Sequence, residues 1–288
     1  MPHTTDLPQV PVTSQLQGVL RMLWAVACFS CMDVAMKRLS ETYPVPQVTF
    51  IRAASACVLL TLTACALGRA RDLRPRRLWL HVLRGILSFA TLYCFVWSIG
   101  RISLAHAYAI FMSAPLLITG LSRPLLGEHV ELRRWLAVLV GLAGVLIALD
   151  PSGHGFSLGG GLSALASATA YALATIAMKV QVRTETGLAT SVGCLFVVCL
   201  ICPAFEPESW LPLRWEDWPA LLGVAVSGAL GQHLITQAFR VASPQVLAPL
   251  EYTALAWGVS FDALLWAVTP AGHVLVGAGV VIASGIYV

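Results

Sequence analysis

The chain has 288 residues, 58% of them hydrophobic and 11% charged, with a net charge of +4 and a mean hydropathy of +0.79. A soluble domain carries roughly 25% charged residues, so there is too little polar surface here to face water, and the solvent for most of the chain is lipid. The small positive charge gives no reason to expect a nucleic-acid partner; where the charges sit tells more.

Residues 1–17 are rich in Pro and Thr and lack apolar periodicity, so they read as a disordered cytoplasmic tail. No basic stretch precedes a short apolar core and small-residue cleavage site, so no cleaved leader is expected. A spanning helix needs about 20 apolar residues, and ten such segments follow. They run Gly18–Met36, Val48–Leu67, Leu78–Trp97, Leu104–Leu125 and Trp135–Leu149, then Leu158–Met178, Leu188–Pro203, Trp218–Ala238, Val246–Val268 and Ala271–Val288. Each should be helical, because lipid offers the backbone no hydrogen-bond partner. The expected class is an all-α membrane protein of ten transmembrane helices. Pro115, Pro244 and Pro249 fall in or before spans 4 and 9, where they should kink the chain.

Lys and Arg orient the spans. The loop between spans 2 and 3 holds Arg69, Arg71, Arg74, Arg76 and Arg77 and should be cytoplasmic. The same side then collects Arg21, Arg123, Arg133, Arg134, Lys179, Arg183 and Arg240, against Lys37, Arg38, Arg101 and Arg214 opposite. Both termini are therefore expected in the cytoplasm, with the chain in the inner membrane. The cysteines all lie in apolar runs. Cys28/Cys31 and Cys199/Cys202 have C-x-x-C spacing, but they lack accompanying ligands and read as packing residues, so no metal or other cofactor is expected.

The two halves share a pattern. Span 1 ends in Ala35-Met36-Lys37 and span 6 in Ala177-Met178-Lys179; Arg101 opens the approach to span 4 and Arg240 that to span 9. The offsets, 142 for Lys37 to Lys179 and 139 for Arg101 to Arg240, are nearly constant. An odd number of spans per copy inverts the second copy in the membrane, giving repeats over residues 18–149 and 158–288. Inverted repeats underlie alternating access in many carriers.

The run Ile102–Pro115 followed by Leu125-Leu126-Gly127-Glu128, and Gly141-Leu142-Ala143-Gly144-Val145 in span 5, resemble the drug/metabolite transporter superfamily of EamA type. Arg84-Gly85 and the run Ala248–Leu255 resemble a subgroup that moves S-adenosylmethionine, riboflavin, carboxylates or amino acids. The resemblance implies a carrier for a small organic metabolite. One departure is that Leu265-Trp266-Ala267 stands where the family usually repeats the Gly-Glu of Gly127-Glu128.

A charge inside a span is costly and usually faces a bundle interior or a watery cavity. Glu251 lies about 10 Å into span 9 and His233 about 8 Å into span 8 from the same face, at 1.5 Å per residue, so the two are expected to line the substrate path and to share a proton. The plain alternative is a structural ion pair. Gln232, Gln237, Tyr252, Tyr93, Trp97, His106, Tyr108 and Ser113 supply the polar and aromatic lining such a pocket needs. Asp33 and Lys37, four apart on one helix face, form a gate or a local ion pair. Arg52, Arg84 and Asp262 read as charges snorkelling to the interface, Arg84 also as an attractor of anions, and Glu128 as a clasp to its basic neighbours. The expected partners are a small-molecule substrate, the lipid bilayer and protons as the candidate coupling ion. The competing classes are an intramembrane enzyme and a membrane scaffold. The chain has no H-E-x-x-H or G-x-S-x-G motif for the first, and it buries more polar groups than the second requires.

Overall fold

A computed structural model describes residues 12–126, 132–149, 157–181, 184–241 and 247–287, and every regular element among them is helical. The α-helices are α1 (Val12–Ser40), α2 (Val45–Ala66), α3 (Leu78–Ile99), α4 (Leu104–Phe111), α5 (Ala114–Leu126), α6 (Leu132–Leu149), α7 (Leu158–Gln181), α8 (Gly187–Ile201), α9 (Trp218–Val241), α10 (Thr253–Trp266) and α11 (Gly272–Tyr287). Six of the described helical segments are long and apolar enough to cross a membrane: Gln15–Ser40, Val45–Ala66, Leu78–Ile99, Leu158–Met178, Gly187–Ala204 and Trp215–Ile235. Leu104–Ile118 and Gly272–Tyr287 are shorter apolar helices. Large apolar side chains such as Trp24, Leu62, Leu222 and Leu264 point outward, an arrangement that suits lipid and is costly in water.

Two elements depart from the expected segments in an informative way. α1 begins at Val12, inside the stretch expected to be a disordered tail. The single apolar run expected from Leu104 to Leu125 breaks at Met112–Ser113 into α4 and α5. Pro115 lacks the N–H that would continue the ladder to the Phe111 carbonyl, and Ser113 turns back on Ile110, its N–H (3.0 Å) and its hydroxyl (2.8 Å) both donating to that carbonyl. Pro249 has the same effect at the other end of the chain. The run leading into α10 opens as a 3₁₀ turn over Ala248–Tyr252.

The most extensive packings, α1 on α9, α3 on α7 and α6 on α11, each join a helix before residue 150 to one after it. α2 also packs on α8 and on α9, α3 on α8, and α4 on α10. The halves are therefore interleaved around one core, whose buried side chains include Met36, Leu39, Val96, Ile99, Leu104, Tyr108, Ile110 and Val281. Close approach depends on small residues. A Cβ at Gly258 of α10 would sit 2.6 Å from the Tyr108 ring, and one at Gly144 of α6 would sit 2.9 Å from the Gly277 carbonyl. The segment between α8 and α9 is held to the α1–α2 corner by its own backbone. Gln47 donates to Leu211 O (2.7 Å) and accepts from Leu211 N (3.0 Å), while Tyr43 donates to Asp217 (2.7 Å) and accepts from Arg214 N (2.8 Å).

Candidate functional site

Charge collects in four places. At the end of the bundle opposite the arginine-rich Arg69–Arg77 loop, Asp262 of α10 is fully buried. Its Oδ1 takes the Lys37 ammonium at 3.1 Å and the Leu104 N–H at 3.1 Å, and its Oδ2 takes the Ala105 N–H at 2.8 Å. Leu104 and Ala105 are the first residues of α4, where orphan N–H groups and the positive end of the helix dipole favour an anion. Asp262 thus caps a helix from across the bundle. Lys37 completes the shell, with the Ile102 carbonyl at 3.4 Å and the Trp266 ring centroid at 4.4 Å.

Lys37 is therefore not partnered with Asp33 as the four-residue spacing implied. Asp33, buried, instead accepts the Tyr108 phenol at 2.7 Å through Oδ2. The Arg52 guanidinium of α2 lies within electrostatic reach of both Asp33 and Tyr108. Arg52, read as a snorkelling charge, is in fact the counter-charge of a buried cluster. Asp262, read the same way, is fully inside.

At the arginine-rich end Glu185, in the short connection between α7 and α8, repeats the pattern. Its Oε1 accepts the N–H groups of Arg76 (3.2 Å) and Arg77 (2.7 Å) at the start of α3, and its Oε2 meets His81 Nε2 at 2.6 Å. The His81 ring lies flat on Gly193 of α8, where a Cβ would overlap it. Burial opposes ionisation of Glu185, but the Arg77 N–H, His81 and the Arg76 N–H outweigh it and hold the carboxyl below its ordinary value. With the carboxylate ionised, Nε2 carries the imidazole proton and donates it. Neither residue was singled out in the sequence. The available signal was a histidine one turn into an apolar span.

The fourth place is at the 3₁₀ turn before α10. Glu251 sits on the 3₁₀ turn before α10, and its side chain is solvent-accessible. The Tyr171 phenol of α7 lies within electrostatic reach of Glu251 and of Arg84, and its ring packs on Phe111 at 5.4 Å. Arg84 is anchored by one nitrogen to the Thr190 carbonyl (2.8 Å) and Gln181 Oε1 (3.4 Å). The Tyr171 phenol thus lies within electrostatic reach of an anion from the 3₁₀ turn and a cation from α3. Tyr252 adjoins them, its hydroxyl seated against Gly285 of α11.

The other expected lining residues scatter. His233 is exposed on the α9 face that also carries Leu222, Val226 and Leu230, opposite the face that packs on α1. Among the described residues no hydrogen bond or ion pair joins it to Glu251, so similar depth on consecutive helices did not place the two together. Gln232 is exposed and Gln237 half-buried on the same helix. His106 contacts the Ser103 hydroxyl through Nδ1 (2.8 Å) and faces His273 at 5.9 Å, while Ser113, between α4 and α5, is buried on the Ile110 carbonyl. Tyr93 and Trp97 line a separate cavity of about 260 Å³ with Ser40, Tyr43, Pro44, Val45, Arg101 and Glu206. The clasp expected of Glu128 lies outside the described residues.

Comparison with known proteins gives this arrangement a family. The description "EamA-like transporter family" matches residues 16–149 and again 158–288. The chain is 27% identical over 276 residues to a riboflavin transporter of Vibrio cholerae, covering 93% of this chain and 91% of that one. It is 26% identical over 265 residues to a pseudopaline exporter of Pseudomonas aeruginosa, covering 90% and 93%. An S-adenosylmethionine uptake transporter of Rickettsia bellii is 23% identical over 271 residues, covering 94% and 92%. A solved crystal structure superposes with a TM-score of 0.62 over 96% of each chain at 16% identity, which speaks to fold alone.

Proposed function

We propose that this chain, which belongs to the EamA-like transporter family, carries its small-molecule substrate across the inner membrane by alternating access. Ten spans in two inverted five-helix repeats, residues 18–149 and 158–288, would line the path, with both termini cytoplasmic. That it is a membrane transporter of small metabolites, and not an enzyme, follows from the family and its named relatives. The packing pattern supports the inverted repeat. If each span is exchanged with the one five places away, α1 on α9 becomes α7 on α3, and α2 on α9 becomes α8 on α3. α6 on α11 and α2 on α8 map onto themselves. The excess of Lys and Arg at the Arg69–Arg77 end supports the orientation.

The observation that carries the mechanism is the pair of carboxylate clasps. At one end Asp262 of the second half holds the start of α4 and Lys37 of the first; at the other, Glu185 of the second half holds the start of α3 and His81 of the first. Each clasp ties the halves together at one face of the membrane. A carrier that opens alternately must release one and keep the other. Between them Glu251, Tyr171 and Arg84 would supply the polar contacts for a solute with both donor and acceptor groups. An S-adenosylmethionine, vitamin, amino-acid or carboxylate solute has that chemistry, and the relatives' names fall in the same range. Glu251, with no basic partner among the described residues, is the candidate proton carrier.

Reconstitution in liposomes tests the reading. Uptake of labelled S-adenosylmethionine, riboflavin, amino acids and carboxylates is measured with and without a pH gradient. Saturable uptake of one class that rises with the gradient and is lost in Glu251→Gln is expected. Uptake indifferent to both removes Glu251 and protons from the mechanism, and no saturable uptake of any class counts against the carrier reading.

A further inference from the structure

The cavity beside Tyr93 and Trp97 lies apart from the Glu251 interior, at the opposite end from the arginine-rich loop, and the clasps leave it without a role. Three aromatic rings face it: Tyr43 at the α1–α2 corner, and Tyr93 and Trp97 on successive turns near the end of α3. Pro44 and Val45 complete an apolar floor, and Ser40 adds a hydroxyl. Its volume of about 260 Å³ falls just under the range of roughly 300–1,000 Å³ for pockets that take drug-sized ligands, so it suits one ring system.

Two charges of opposite sign stand at its rim. The Arg101 guanidinium stacks on the Trp97 ring at 3.6 Å and donates to the Trp97 carbonyl at 3.2 Å. Those contacts fix its position over the aromatic wall while leaving further N–H groups to offer. Glu206 faces it from the α8–α9 segment, and both charges lie within electrostatic reach of the Tyr93 phenol. Glu206 has φ +49°, one of two non-glycine residues with positive φ among the described residues. A left-handed glutamate persists only where its surroundings over-determine it, and such residues gather at ligand-binding sites. The surroundings here are explicit. Phe205 is wedged against Phe89 (4.8 Å) and Tyr93 (6.1 Å) on one side of Glu206, and the Ser209 hydroxyl closes on the Glu206 carbonyl at 2.7 Å on the other. Gln47 and Tyr43 hold the rest of the segment to the first half.

We propose that this cavity is a binding site for a compact planar aromatic solute, packed against Tyr93 and beside the Trp97–Arg101 stack, with a carbonyl or carboxylate toward Arg101 and an N–H or ammonium group toward Glu206. Such a solute uses every wall. A saturated solute of equal volume forfeits the stacking, and a purely anionic one meets Glu206 unpaired. The site rests on the transporter reading only in serving as a capture point at one mouth of the path, since its occupancy is an equilibrium property that needs no turnover.

Equilibrium dialysis of purified, detergent-solubilised protein tests it, with labelled tryptophan and tyrosine as probes and cyclohexylalanine as the saturated control. The native protein is expected to bind at least one aromatic probe saturably and the control at least about tenfold more weakly, the factor that about 1.4 kcal/mol of lost stacking gives. Trp97→Leu should weaken the aromatic probe by about the same factor, and Trp97→Phe should restore most of it. Glu206→Gly removes the carboxylate at a position whose backbone glycine accepts without strain, so it should weaken binding while leaving the melting temperature intact. Failure of both aromatic probes to bind, or binding unaffected by Trp97→Leu and Glu206→Gly in folded protein, overturns the site. Binding without uptake in liposomes would sink the carrier reading and leave the site standing. Uptake with binding insensitive to these substitutions would do the reverse.

Discussion

Asp262 and Glu185 play the same part at opposite ends of the bundle: each is a second-half carboxylate that accepts two consecutive backbone N–H groups at the start of a first-half helix and pairs with a first-half base. Asp262 takes Lys37 and Glu185 takes His81, so the charge that each helix start lacks in its own sequence arrives from the other half. Neither α3 nor α4 has an acidic residue in its first turn.

Because Asp262 serves a cation and a helix end together, its loss should cost more than the loss of its partner. Removing one member of a buried ion pair costs about 3–5 kcal/mol. Asp262→Ala also strands two N–H groups, each worth about 1–3 kcal/mol when buried without an acceptor. Lys37→Met leaves Asp262 its two N–H donors and should be milder. Chemical or thermal unfolding in detergent gives the order, and equal effects would mean the cap contributes nothing.

Glu185 should make the protein sensitive to acid. Its carboxyl is held below the ordinary 4.5 in the folded state, so its contribution is fully present above pH about 4.5 and is lost as pH falls through the lower folded value. Native protein and Glu185→Gln should differ in melting temperature by a constant amount from pH 7 to about 5, with the gap narrowing below that. A gap that stays constant into strong acid would show that the charge of Glu185 is not what binds the ends of α3 and α8.

A glycine should control the same clasp from the side. The His81 ring occupies the place where a Cβ at Gly193 would go, so Gly193→Val must push the ring off Glu185 or push α8 away. Neighbouring effects of this kind are not additive. Gly193→Val combined with Glu185→Gln should destabilise by less than the sum of the two single changes. Simple additivity would place the strain elsewhere.

The Tyr108 hydroxyl should matter out of proportion to its size. It donates to Asp33, a buried carboxylate that faces Arg52 from α2. A hydrogen bond to a charged group is worth about 1.5–3 kcal/mol, so Tyr108→Phe should lose that much while leaving the ring's packing on Gly258 and Phe95 in place. Unfolding that matches the native protein would show that Arg52 alone suffices for Asp33.

The helical character of the chain and the limits of most spans were legible because lipid leaves the backbone one choice and about 20 apolar residues mark each crossing. The interruption at Pro115 was legible for the same local reason. The site was legible only in outline. Glu251 was singled out because a charge in a span stands out, and it lies within electrostatic reach of the Tyr171 phenol, as does Arg84. His233 was assigned by depth alone. Depth along the membrane normal says nothing about rotation around a helix axis, and its face turned out to be the exposed one.

What the sequence determined by itself was the solvent and the family, because these are written in composition and in order along the chain. What only the tertiary structure decided was pairing. Lys37 had Asp33 one turn away and took Asp262, 225 residues distant. His81 took Glu185 and Asp33 took Tyr108, all across helices that the chain order does not place together. A buried charge must find its counter-charge wherever packing puts one, since the interior offers no water in its place. Helix rotation and interleaving of the halves, fixed by contacts such as Tyr108 on Gly258 and His81 on Gly193, therefore selected partners that spacing in the sequence did not.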